Sequence, residues 1–150
     1  MTKQLRLALG LVAVGMLLAA GAALAGSVKI GPVKGATYVG AVKGFDKLTI
    51  KVAPSGKTAT ASLPAAPAYC QGGSGPQVQH AHVGRISKGA LTTTITYTST
   101  GSSTPFATVT IKGSFYTFSG EKPVFQGTAK STFEKAAECS GQESFQATKS

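Results

Sequence analysis

Apolar side chains recur at every second position along most of this chain, and that period decides what it can fold into. Leu91, Thr93, Ile95 and Tyr97 alternate with Thr92, Thr94, Thr96 and Thr98, while Ala107, Val109, Ile111, Gly113 and Phe115 alternate with Thr108, Thr110, Lys112 and Ser114. An extended strand points residues i and i+2 to the same face, so each run buries one face and wets the other. The same phase runs through 36–43, 48–52, 57–63, 125–133 and, more briefly, 142–148. Pro54, Ser55 and Gly56 fold the second of these back onto the third as a hairpin, and turn residues stand again at 101–105 and 119–123. A helical period finds no comparable match, with room for a single helical turn at 133–138. The expectation is an all-β domain, an antiparallel β-sandwich or a small β-barrel of about seven to eight strands, and the period leaves both architectures open.

Residues 1–25 stand apart from that pattern. Lys3 and Arg6 precede an apolar run from Leu7 to Leu24, and Ala23 and Ala25 supply the small residues a signal peptidase requires. A signal peptide with cleavage after Ala25 is expected, although an uncut run of this length would just span a bilayer. Cleavage leaves one secreted β domain at 26–150, with no membrane span and a size suited to a single core. Thirteen basic residues then face five acidic ones, and Arg85 is the one arginine among them. Such an excess favours anionic partners: wall polymers, phospholipid headgroups or extracellular DNA in a bacterium. The lysines are spread along the chain without a block of like charge, the pattern of a charge excess that simply keeps an exported domain soluble. Sequence-specific nucleic-acid binding is not expected, because arginine and aromatic stacking platforms are not concentrated anywhere.

Two cysteines in an exported chain read as one disulfide, Cys70 with Cys139. Each falls in a segment read as loop, 64–76 and 134–141. Gly35, Tyr38 and Gly40 at the opening, Cys70 after the first hairpin, Gly127 and Ala129 before Phe133, and Cys139 and Gly141 before Phe145 together form a pattern. In these residues the chain resembles a group of small secreted proteins of high-GC Gram-positive bacteria. That resemblance implies an exported all-β domain with a cysteine pair and no assigned activity.

Candidate chemistry is sparse. His80 and His82 stand two apart, and on a strand both would point to one side about 6 to 7 Å apart, within reach of one zinc or copper ion. Such a site needs a third ligand from Asp46, Glu121, Glu134, Glu138, Glu143 or unbridged cysteines, and the spacing selects none of them. Gly75, Pro76 and Gly84 flank the pair, which suggests loop around it. No Gly-X-Ser-X-Gly elbow occurs, and Glu134 with Glu138 is one of the few close carboxylate pairs. Thr92, Thr94, Thr96 and Thr98 form a row on one strand face, with Thr108 and Thr110 on a neighbour. Regular hydroxyls can bind a polymer or ice, but threonine also finishes solvent-facing strands. The expectation is therefore a non-enzymatic binding or structural module at the cell envelope, without a cofactor and directed toward anionic polymers. The alternatives are a small metal-binding protein or metallohydrolase using His80 and His82, and a carrier of apolar ligands within a barrel.

Overall fold

A computed structural model describes residues 27–45, 47–67, 70–71 and 76–150 of the protein. The leader expected at 1–25 lies outside the described residues, as does Asp46. Ten strands follow one another: β1 (Val28–Ile30), β2 (Thr37–Ala41), β3 (Lys47–Val52), β4 (Thr58–Ser62), β5 (Gln77–Ala81), β6 (Val83–Ser87), β7 (Ala90–Ser99), β8 (Pro105–Phe118), β9 (Val124–Phe133) and β10 (Gly141–Lys149). Every ladder is antiparallel, and eight strands in the order β8-β9-β10-β2-β3-β4-β6-β7 close on themselves through a β7–β8 ladder. The architecture is thus a barrel, which decides between the two forms the period allowed. The strand at 36–43 is shorter than its pattern, and a 3-10 turn lies at Ala137–Cys139.

Two strands beyond the barrel correct the sequence reading. β1 extends the edge of β8 past the start of β7, with Val28 opposite Phe118 and Ile30 opposite Tyr116. The histidine stretch, read as flanked by loop, is strand: β5 and β6 run together along β7. From Ala81 to Arg85 the chain takes four steps while its partner takes three, from Ile95 to Thr92. That extra residue is a β-bulge, and it bends the chain so that β6 joins β4 in the barrel while β5 runs along β7 without a ladder to β4, tied to it through the Gln79 and Ser62 side chains. The local sequence hides this strand because its residues are polar on both faces.

The inward faces are those the alternation marked. Leu91, Ile95 and Tyr97 of β7, Val109, Ile111 and Phe115 of β8, and Leu48 and Ile50 of β3 are all fully buried. An eight-stranded barrel is just wide enough to be filled by such side chains. Tyr38, Phe115, Phe125 and Phe145 stack in sequence across one half, with ring centroids 5.0, 4.7 and 5.8 Å apart. The one threonine on the inward face of β7 is satisfied, since Thr93 Oγ1 donates to the His82 carbonyl at the bulge. In the other half the Tyr97 hydroxyl donates to the Leu63 carbonyl at 2.8 Å, and burial holds that phenol well above the usual tyrosine range.

The two ends of the barrel differ. At one, which we call the turn end, lie the β3–β4, β6–β7 and β8–β9 turns together with the end of β10. Residues 31–36 cross it from β8 to β3. Gly31 N–H donates to Phe115 O at 3.1 Å, Val33 N–H to the Tyr38 hydroxyl at 3.0 Å, and Gly35 N–H to Ala53 O at 3.2 Å. At the opposite, disulfide end, Cys70 and Cys139 are bonded and join the β4–β5 and β9–β10 connections, 69 residues apart in sequence. Gln77 holds the first connection through both the N–H and the carbonyl of Ala66. Ser131, whose hydroxyl lies within 3.3 Å of Cys139 O, and Ser140, which accepts from Phe133 N–H, hold the second.

Candidate functional site

His80 on β5 and His82, in the step between β5 and β6, lie on the outward side, and both rings are turned toward β7. His80 Nε2 lies 3.2 Å from Thr98 Oγ1, and His82 Nε2 lies 3.3 Å from Thr96 Oγ1. The strand geometry expected for the pair is therefore present, and one nitrogen of each ring, Nε2, faces a threonine hydroxyl. Among the described residues no group of three His, Cys, Asp or Glu side chains is placed to hold a metal ion. The two cysteines are consumed in their disulfide. Glu143 on β10 is separated from β5 by β7, β8 and β9, while Glu134 and Glu138 are exposed in the β9–β10 connection and Glu121 lies in a turn at the far end. Adding zinc or copper at tenfold excess is expected to leave the melting temperature unchanged, in the parent and in His80→Ala alike. A metal-dependent rise that His80→Ala removes would instead establish the site.

The threonine row is longer than one strand. Thr96 pairs with Thr108 and Thr108 with Thr132, so His80, Thr96, Thr108 and Thr132 form one line across β5, β7, β8 and β9. Beside it, Thr94, Thr110 and Lys130 make a second line, and Arg85, Thr92, Lys112 and Thr128 a third. These hydroxyls lie on a closed, curved wall, and lysines or arginine interrupt two of the three lines. An ordered flat lattice would meet only part of such a surface. A shallow, open depression on the outer wall of β9 and β10, lined by Gln126, Gly127, Ser144, Phe145 and Gln146, contains neither a histidine nor an acid. Within the barrel stand the aromatic and branched side chains of the core.

Comparison with known proteins adds no relative. No protein-family model, curated protein or solved structure matches the chain.

Charge is where the tertiary structure organises what the sequence scatters. Lys51 and Lys57 flank the β3–β4 turn, Lys88 occupies the β6–β7 turn and Lys122 the β8–β9 turn. Lys149 ends β10 beside that last turn, its N–H donating to Pro123 O at 2.8 Å. Lys34 lies over the β3–β4 turn, where its stem faces Gly56. Lys29 belongs to β1, and Arg85 and Lys112 share the adjoining cross-strand line through Thr92. Nine of the thirteen cations after residue 25 thus occupy the turn end or the wall next to it, with Glu121 as the single described acid there. The disulfide half holds Lys43, Lys47, Lys130 and Lys135 against Glu134, Glu138 and Glu143. Lysines spread along the sequence are thus gathered by the fold: the barrel is strongly positive at one end and nearly balanced at the other. Clustered like charges of this kind raise the local concentration of anions and orient an approaching polyanion.

Proposed function

We propose that this protein is a secreted, non-enzymatic binding module that associates, turn end first, with an anionic component of the cell envelope. The observation that carries this reading is the gathering of nine cations at one end of the barrel and on the wall next to it, while the other half is nearly neutral. A charge excess kept for solubility has no reason to be polar, whereas a docking face does. The Cys70–Cys139 bond fits an oxidising space outside the cytoplasm, as the proposed leader also implies. The likeness to small exported β proteins of high-GC Gram-positive bacteria belongs to the same proposal.

Two variants of equal net charge separate a directed face from bulk charge. Replacing Lys51, Lys57, Lys88 and Lys122 by Gln removes four cations from the turn end; replacing Lys43, Lys47, Lys130 and Lys135 removes four from elsewhere. Retention on isolated Gram-positive cell envelopes should fall by on the order of tenfold in the first variant and little in the second. Raising ionic strength toward 1 M should erase the difference, since the screening length then drops to about 3 Å. Equal loss in both variants, or retention indifferent to salt, would refute the directed face.

A further inference from the structure

The geometry points to a bilayer surface rich in anionic phospholipid as the component that the turn end meets. This inference rests on the proposed function and names the partner of the same face. Its basis is an apolar patch set among the lysines. Six large hydrophobic side chains are markedly exposed among the described residues, and four of them, Val28, Ile30, Val33 and Phe118, belong to this end. Val28 lies opposite Phe118 and Ile30 opposite Tyr116, so these four side chains share the outer face of the β1–β8 ribbon. The rings of Tyr116 and Phe118 stack on one another at 6.4 Å. Ile30, 62% exposed, reaches over Gly89 next to Lys88, while Lys29 lies between Val28 and Ile30 in sequence and Lys122 lies in the turn that leaves Phe118.

Cations and apolar side chains ask for different things from a partner. A hydrophilic polyanion such as a glycerol phosphate polymer satisfies the lysines and leaves Val28, Ile30 and Phe118 in water. A phospholipid surface satisfies both, because the ammonium groups meet the phosphates while the aliphatic and aromatic groups enter the boundary between headgroups and acyl chains. Tyrosine and phenylalanine beside lysine suit that boundary, where one end of a side chain is apolar and the other wet. β1 pairs on one edge only, so its other edge carries backbone groups that hydrocarbon would leave unsatisfied. The contact is therefore shallow, at headgroup depth.

The test uses protein recovered from the exported fraction and sedimented with vesicles of phosphatidylglycerol mixed with phosphatidylcholine, or of phosphatidylcholine alone. Binding should be at least tenfold stronger to the anionic vesicles. The variant Val28→Ser/Ile30→Ser/Phe118→Ser should lose tenfold or more of that binding while keeping its salt-dependent retention on glycerol phosphate polymer. Should the triple variant not fold, Phe118→Trp places the sole tryptophan of the chain in the patch. Its emission should shift to the blue with anionic vesicles and stay unchanged with the polymer. Polymer binding by the parent without vesicle binding, or vesicle binding indifferent to the three serines with no emission shift, would overturn the lipid partner and leave the basic docking face standing. Binding to neither vesicles nor polymer would overturn both.

Discussion

The double variant Cys70→Ser/Cys139→Ser is expected to lose about 4 kcal/mol of unfolding free energy. The bond closes a loop between residues 69 apart, so the unfolded chain regains most of its freedom when it is cut. For one domain of this size the melting temperature should fall by roughly 15 °C. The barrel itself should survive at room temperature, since none of its ladders passes through either cysteine. Ala66 remains tied to Gln77, and Ser140 to Phe133 N–H, after the sulfurs part. Equilibrium urea unfolding of the parent and the double variant measures the difference. A loss below about 1 kcal/mol would mean that the two connections stay together without the bond.

Gly127→Val should be comparably severe, for a reason in the folded state. Gly127 and Gly113 are opposite one another on β9 and β8 and both face inward. A Cβ at Gly127 would run into the backbone carbonyl of Lys112 and stand 2.9 Å from Gly113 Cα. Neither obstacle is a side chain that can swing aside, so β8 and β9 would have to part in the middle of their ladder. A Cβ at Gly113 would likewise meet the Phe125 ring at 2.7 Å. These two glycines let the strands approach closely, and the Phe125 ring covers the space that their missing side chains leave. Gly127→Val is expected to cost at least about 3 kcal/mol. Gly141→Ala is its control, with nothing within 4 Å of the added carbon, and should stay within about 0.5 kcal/mol of the parent.

Much of the wall was legible before any coordinates. The inward phase at Leu91, Thr93, Ile95 and Tyr97, and at Val109, Ile111 and Phe115, follows from side-chain direction within one strand. The hairpin across Pro54–Gly56 follows from local turn chemistry. β5 was not legible, because Gln77, Gln79, His80 and His82 offer no apolar face to count. Its strand form comes from backbone bonds to β7, including His82 N–H to Thr94 O at 2.9 Å. β1 escaped for a similar reason: three exposed residues, too short for a period, become a strand only because β8 outruns β7. The histidine pair was placed on one side by its spacing alone, but whether an acid comes near it depends on strand order. Strand order puts three strands between His80 and Glu143.

What the sequence determined by itself is the content of each strand. Which residues face inward, where the chain turns and which two cysteines are available are properties of short stretches, governed by a two-residue period and by proline and glycine geometry. Coincidence in space came from the closed fold. Lys51, Lys88 and Lys122 are far apart along the chain and become neighbours in one end because antiparallel strands return every other turn to the same side of a closed barrel. Val28 meets Phe118, and Cys70 meets Cys139, by the same closure. A binding face assembled from strand ends has no local signature, since the pairing that gathers it is set by the whole ladder order and not by any single run of residues.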